Sequence, residues 1–95
     1  MTAETVALRV RILGRVQGVW YRGWAVAGAE ARGLRGWVRN RRDGSVEALL
    51  IGPMGEVEAM IEACRHGPPG ARVEAIERVP ASDDGSAGFR QRPSD

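Results

Sequence analysis

The segment GRVQGVWYR, residues 14–22, holds the residues of this chain that are best suited to binding chemistry. It has two glycines, no acidic residue and an arginine on either side of its bend, and it joins an alternating apolar segment to an alanine-rich one. Where a strand leads into a helix, the first backbone N–H groups of the helix lack intrahelical partners, and with the helix dipole they attract anions. Gly14 and Gly18 allow a tight turn and leave room for a ligand. The pattern is therefore compatible with an anion site.

Arg22 falls in the first turn of the predicted helix, where a positive charge is unfavourable by roughly 0.3–1 kcal/mol at an exposed site. A bound anion between the guanidinium and the backbone amides would remove that conflict. The loop is not a P-loop, because three residues separate its glycines and no Lys-Ser/Thr pair follows, and it lacks the GxGxxG fingerprint of dinucleotide-binding proteins. On these residues alone, an anion site and a plain connecting loop are equally supported.

Asn40, directly before Arg41-Arg42-Asp43-Gly44, also has two interpretations. Asparagine at such a position commonly forms local backbone hydrogen bonds within a turn. Alternatively, its carboxamide lies at the end of a strand and faces a ligand or a water molecule. The residues alone favour the turn.

The spacing of apolar residues predicts the elements that must position these side chains. Residues 6–13 predict a strand whose buried face carries Val6, Leu8, Val10 and Ile12. Residues 22–33 predict a helix closed by Gly33. Two strands, one at Trp37-Val38 and one over residues 46–51, flank a strong turn signal at Asp43-Gly44.

The second half of the chain predicts a helix, a strand and a short final strand. The helix begins at Pro53 and places Met54, Val57, Met60, Ile61 and Cys64 at helical spacing. Residues 71–79 predict the next strand, and GFRQR predicts the last one. The order predicts an α+β, ferredoxin-like βαββαβ sandwich, with two helices on one face of a mostly antiparallel sheet. We expect one domain over residues 1–95, with a core over about 6–92 and flexible ends.

Composition excludes several classes of protein. All 14 basic residues are arginines, but the net charge is only +2 and they are scattered, unlike the basic stripe of a nucleic-acid-binding protein. Cys64 is the only cysteine, so no internal disulfide forms, and with His66 alone it does not make a zinc site. No apolar segment approaches the length of a membrane span, and the N-terminus lacks the layout of a signal peptide, so we expect a cytoplasmic protein.

Two motifs together resemble the acylphosphatase family: GRVQGVWYR and, further along, GLRGWVRNRRDGSVE. The similarity extends over about residues 6–79, and a weaker similarity is present in the segment GFRQR. The resemblance implies hydrolysis of the carboxyl–phosphate anhydride of small-molecule acyl phosphates, with inorganic phosphate as a product and without metal or cofactor. We expect a monomer.

The resemblance also implies the roles of individual residues. Arg22 would clamp the phosphoryl oxygens, and Asn40 would orient the attacking water. The backbone amides of the loop would cradle the phosphate, and that loop consists of Arg15, Val16, Gln17, Gly18, Val19, Trp20 and Tyr21. The chain departs from the family pattern at Ala25, Arg32, Gln91 and the Trp20-Tyr21 pair.

Two other functions are compatible with the fold. One is a non-catalytic ferredoxin-like module that binds anions or nucleic acid, which the arginines and aromatic residues would serve. The other is an acylphosphatase-like domain that binds anions without turnover. Packing is the expected role of Trp24 and Trp37, since neither matches an RNA-binding strand motif.

Overall fold

The computed structural model describes residues 4–95; residues 1–3, part of the N-terminal segment predicted to be flexible, lie outside the described residues. The chain forms, in order, β1 (Thr5–Arg15), α1 (Tyr21–Ala31), β2 (Arg35–Asn40), β3 (Val46–Pro53), α2 (Met54–His66), β4 (Arg72–Pro80) and β5 (Phe89–Gln91). This order, with two helices on a five-stranded, mostly antiparallel sheet, confirms the predicted ferredoxin-like α+β fold.

The sheet has the strand order β4-β1-β3-β2-β5, so the short final strand extends one edge. Only the β2–β5 pairing is parallel; the other three pairings are antiparallel. The register between β1 and β4 shifts between Leu13 and Gly14, which marks a bulge just before the loop. Gly14 has φ 128°, and a Cβ there would overlap the carbonyl oxygen of Arg72. The loop therefore leaves the sheet through a position that requires glycine.

The main core lies between one face of the sheet and both helices. β1 contributes Val10 and Ile12, whereas β3 contributes Val46, Ala48 and Leu50. From the helices come Tyr21, Ala25, Ala29, Val57, Met60, Ile61 and Cys64. The predicted apolar face of α2 is correct except at Met54, the first residue of the helix, which is exposed. Pro53 precedes the helix rather than opening it.

Trp24 and Trp37 pack as expected, but on opposite faces of the sheet. Trp24 packs against the main core and meets the Tyr21 ring edge to face, with 5.2 Å between centroids. Trp37 belongs to a smaller cluster with Leu49 and Ile51 on the face away from the helices. Within residues 4–95, no helix is long and apolar enough to cross a membrane.

Candidate active site

The loop between β1 and α1 ends in an unusual backbone conformation at Trp20. Its φ of 63° and ψ of 27° lie in the left-handed region, and no other non-glycine residue among 4–95 has a positive φ. A bulky side chain is rarely found there, because its Cβ crowds the backbone. The Trp24 N–H donates to the Trp20 carbonyl at 3.1 Å, so this strained residue is where α1 begins.

Among residues 4–95, no protein group caps the N-terminus of α1. Trp20 makes no side-chain capping hydrogen bond, and the first turn of the helix has no acidic residue. The N–H groups of Tyr21, Arg22 and Gly23 have no intrahelical acceptors, because they precede the first helical hydrogen bond. With the partial positive charge of the helix end, they favour a negatively charged group at this point.

Gln17 attaches the loop to the hairpin that carries Asn40. Its Nε2 donates to the carbonyl oxygens of Arg41 and Ser45, both at 2.8 Å. The Arg41 N–H donates to the same Ser45 oxygen at 2.9 Å, so one side chain joins the loop to both sides of the turn. The sequence analysis missed this role. The available signal was a single amide side chain, with two N–H donors, in a loop otherwise made of glycine, apolar and arginine residues.

The turn after Asn40 is built by Asp43 and Gly44, as the sequence predicts. Asp43 Oδ1 accepts from the Ser45 hydroxyl at 2.6 Å and from the Ser45 N–H at 2.9 Å, and Gly44 has φ 92°. These hydrogen bonds hold the pKa of Asp43 below its usual value. The residues alone had favoured Asn40 as the residue whose side chain forms the hydrogen bonds of this turn. In the structure Asp43 forms them instead.

A pocket of about 120 Å³ opens where the loop, the start of α1 and the ends of β2 and β5 meet. Here it is called the Arg22 pocket, and it is lined by Gly18, Trp20, Tyr21, Arg22, Gly23, Asn40 and Gln91. The structure thus brings the predicted residues Arg22 and Asn40 to one pocket together with part of the predicted loop. Gln91 is an addition, since the sequence had marked it only as an unusual residue of the last strand.

The other loop residues named from the sequence do not line the Arg22 pocket. Arg15 is the last residue of β1 and is exposed. Val16 is 1% exposed and belongs to the main core, and Val19 packs against that core. Gln17 binds the hairpin through its carboxamide. Their side chains therefore shape and anchor the loop.

Arg22 and Asn40 present polar groups that other side chains leave free for a ligand. Within residues 4–95, no carboxylate lies within 4.0 Å of the Arg22 guanidinium, whereas Arg35, Arg41 and Arg78 each pair with one. The carboxamide of Asn40 makes no hydrogen bond to any other residue of the described part of the chain. Its backbone carbonyl accepts from the Asp95 N–H at 3.0 Å, which helps to fix the strand end.

Tyr21 contributes its backbone to the pocket and its side chain to the core. The side chain is buried, and the hydroxyl donates to the Cys64 carbonyl at 2.5 Å. This bond ties the first turn of α1 to the last turn of α2. Burial raises the pKa of the Tyr21 hydroxyl, so it stays protonated. Burial likewise raises the pKa of the Cys64 thiol, to about 11, which makes this cysteine unreactive.

A larger pocket, of about 370 Å³, lies on the sheet face away from the helices and contains none of the predicted site residues. Its centre is the buried carboxylate of Glu47, with Arg39 Nε at 2.8 Å, Arg41 Nη1 at 3.1 Å and Arg9 Nε at 3.7 Å. Burial raises the pKa of Glu47, but the hydrogen bonds from Arg39 and Arg41 outweigh that effect and hold it below its usual value. Three arginines thus share one carboxylate, so Glu47 neutralises only part of the positive charge on this face.

Comparison with known proteins agrees with the geometry. The acylphosphatase family model matches residues 8–91 of the chain. The chain is 59% identical to the acylphosphatase of Rhodospirillum rubrum over 87 residues. This alignment covers 92% of this chain and 96% of that protein. It is 47% identical over 91 residues to the acylphosphatase of Rhizorhabdus wittichii, covering 96% of this chain and 92% of that protein.

The fold is shared with solved structures as well. The crystal structure of the acylphosphatase from Bacillus subtilis superposes with a TM-score of 0.89 at 36% sequence identity, covering 92% of this chain and 98% of that chain. The family match spans both motifs that were singled out in the sequence, together with the residues that line the Arg22 pocket. The chain therefore belongs to the acylphosphatase family and has the function of an acylphosphatase.

Proposed function

We propose that the Arg22 pocket is the site at which this acylphosphatase hydrolyses acyl phosphates to a carboxylate and inorganic phosphate. The observation that supports this most is that Arg22 and Asn40, from different elements, line one pocket beside the uncapped start of α1. A guanidinium and free amide donors can bind a phosphoryl group, and a carboxamide can position a water molecule beside it.

The phosphoryl group is bound by the Arg22 guanidinium and by backbone N–H groups of the loop over residues 15–21, of which Gly18, Trp20 and Tyr21 line the pocket. Arg22 has no carboxylate within ion-pair distance among residues 4–95, so its charge is available to the ligand. A guanidinium binds two phosphoryl oxygens side by side, which orients the group as well as neutralising it. The fixed donors then stabilise the charge on the equatorial oxygens in the transition state.

The reaction requires little besides this positioning. Water attacks phosphorus, the bond between phosphorus and the bridging oxygen breaks, and the carboxylate leaves with the electron pair. The proton of the water passes to a phosphoryl oxygen, so an acyl phosphate dianion and water give a carboxylate and dihydrogen phosphate. Because a carboxylate is a good leaving group, no strong general acid is needed, and the buried Tyr21 hydroxyl takes no part.

Asn40 orients the attacking water through its carboxamide. An amide is too weak a base to remove a proton at neutral pH, but its oxygen accepts a hydrogen bond from water and its nitrogen donates one. The position of Asn40 relative to the phosphate is set by the hairpin, which Gln17 attaches to the loop. Nucleophile and electrophile are thereby held at a fixed separation, which is the main source of rate in such a site.

We also propose that the protein acts in the cytoplasm as a monomer. A single buried cysteine, Cys64, fits a reducing compartment because it neither needs nor forms a disulfide within the chain. The edge strands support a monomer, because β4 carries charges of both signs and β5 is only three residues long, so neither offers a second copy much backbone to pair with.

The test is the steady-state hydrolysis of benzoyl phosphate, with a chelator present, by the protein and by two variants. Arg22→Gln removes the charge clamp, and we expect kcat/KM to fall at least about 100-fold, as for the loss of a transition-state donor. Asn40→Ala removes the water-orienting group, and we expect kcat to fall more than KM rises.

Arg65→Gln is the matched control, since it removes an exposed arginine at the end of α2 that pairs with Glu62 and lies outside the pocket. Its rate should stay within about twofold of the unmodified protein, because exposed ion pairs of this kind contribute little. Near-full rates in both pocket variants would show that the site lies elsewhere.

A further inference from the structure

We infer that the exposed indole of Trp20 is the binding surface for the acyl group, so that the enzyme prefers substrates with flat, apolar acyl groups. This inference rests on the proposed phosphate position in the Arg22 pocket. It names the substrate class, which the phosphate-binding residues leave open.

Trp20 exposes a large apolar side chain to solvent. Its side chain is 69% exposed, more than that of any other large hydrophobic residue in the described part of the chain. The other two such residues, Met54 and Val79, do not line the Arg22 pocket, whereas Trp20 does. Single exposed apolar residues are common, but this one forms part of a pocket wall, and pockets are typically lined by apolar and aromatic side chains that a ligand covers.

The backbone fixes where this indole lies. Trp20 occupies the left-handed region at the residue that begins α1, and its carbonyl accepts the first helical hydrogen bond. Strained conformations of this kind persist where the surrounding structure holds them, and they cluster at binding and catalytic sites. The side chain therefore projects from a rigid point beside the phosphate site rather than from a mobile loop tip.

Gly23 provides the space for the indole. A Cβ built at Gly23 would overlap Nε1, Cε2 and Cζ2 of Trp20, so the indole lies directly against the first turn of α1. Glycine is among the weakest helix formers, and the three heavy atoms nearest to that Cβ position all belong to the Trp20 indole, which gives the glycine a steric reason. The glycine thus lets the Nε1–Cζ2 side of the indole lie against the helix, while most of Trp20 stays exposed beside the pocket.

The substrate itself brings the acyl group to this surface. In an acyl phosphate the carboxyl carbon is separated from phosphorus by a single bridging oxygen, so the acyl group lies within a few bonds of the phosphoryl group. With the phosphoryl group on Arg22, the acyl group must lie along the wall of the same small pocket. An aromatic acyl group gains a stacking contact with the indole that an acetyl group is too small to make.

The test compares two substrates, benzoyl phosphate and acetyl phosphate, by the ratio of their kcat/KM values. We expect Trp20→Asn to lower the benzoyl-to-acetyl ratio by about 3- to 10-fold, which is the size of an aromatic stacking contact. Asparagine tolerates the left-handed backbone, and any shared effect on phosphate binding cancels in the ratio. Trp20→Tyr keeps an aromatic ring and should keep most of the ratio.

Gly23→Ala provides a second, independent variant. Alanine displaces the indole from the helix while it strengthens the helix itself, so the ratio should fall although the melting temperature rises. Met54→Ala is the control, since it removes another exposed apolar side chain, outside the pocket, and should leave the ratio unchanged.

A binding experiment separates this inference from the proposed function. The unmodified protein should bind 2-oxo-2-phenylethylphosphonate, a non-hydrolysable benzoyl phosphate mimic, more tightly than 2-oxopropylphosphonate by calorimetry. Trp20→Asn should reduce that difference. Equal affinities in the unmodified protein, or a ratio unchanged in Trp20→Asn, would overturn the inference. Absence of hydrolysis of both substrates would instead overturn the proposed function.

Discussion

Replacing Gln17 with methionine should slow catalysis although Gln17 does not line the pocket. Methionine has a similar length and volume but lacks the Nε2 donors, so both 2.8 Å bonds to Arg41 and Ser45 are lost. Each carbonyl keeps one other donor: Ser45 O retains the Arg41 N–H at 2.9 Å, and Arg41 O retains the Gly44 N–H at 3.1 Å. Neither acceptor is therefore left unsatisfied, which limits the cost.

Two ordinary hydrogen bonds contribute about 0.5–1.5 kcal/mol each, or about 1–3 kcal/mol together. Because both carbonyls keep another donor, we expect the loss of stability to lie in the lower part of that range, at about 1–2 kcal/mol. For a domain of this size that corresponds to a fall in melting temperature of roughly 4–16 °C. The effect on turnover should be larger than this destabilisation suggests, because a shift of about 1 Å between phosphate and water can cost about 100-fold in rate. We expect kcat at 25 °C to fall at least about 10-fold, with a smaller change in KM.

The measurements are thermal unfolding by circular dichroism and steady-state kinetics with benzoyl phosphate. Val57→Ala is the matched control, since Val57 is fully buried in α2 and its truncation should cost roughly 2 kcal/mol without contact with the pocket. It should lose melting temperature like Gln17→Met but keep its kcat. An unchanged kcat in Gln17→Met, together with a lowered melting temperature, would show that the Gln17 bonds only stabilise the fold. No change in either quantity would refute the reasoning altogether.

Two further predictions concern stability. The pKa of Glu47 is held below its usual value, so its contribution to the free energy of unfolding is present above the unfolded-state pKa. That contribution is lost as the pH falls through the folded-state pKa. Glu47→Gln should therefore make the free energy of unfolding, measured by urea titration, less sensitive to acid below about pH 4.5. An unchanged acid dependence would contradict the ion-pair assignment to Arg39 and Arg41. Gly14→Ala should destabilise the protein by at least about 2 kcal/mol. The φ of 128° at this position is strained for alanine, and the alanine Cβ would overlap the Arg72 carbonyl. An unchanged urea midpoint would contradict this prediction.

The parts of the fold that depend on local pattern could be predicted from the sequence. Alternation in β1, the Asp43-Gly44 turn and the closing Gly33 each involve neighbours a few residues apart, and the structure confirms all three. Burial of Cys64 in α2 followed from helical spacing in the same way. These features lie in single elements, where periodicity and turn chemistry determine the outcome.

The candidate site could be predicted only in part, because it is assembled from distant segments. The motifs led to Arg22 and Asn40, but the bonds from Gln17 span 24 and 28 residues and leave no periodic trace. Gln91 reaches the pocket through the parallel pairing of β5 with β2, which no local pattern indicates. Gly23 is an unfavourable residue for the first turn of a helix, and the position of the Trp20 indole gives it a reason that the sequence does not show.

The strand order also determines how two molecules can approach each other. One edge of the sheet is β4, which carries charges of both signs at Arg72, Glu74, Glu77 and Arg78 and ends at a proline. The other edge is β5, which is only three residues long. A strand from a second molecule would have to strip water from these charges on one side, and it would find almost no backbone to pair with on the other. Sheet extension, the usual route from a small β-containing domain to fibrils, is thus disfavoured at both ends while the native fold persists.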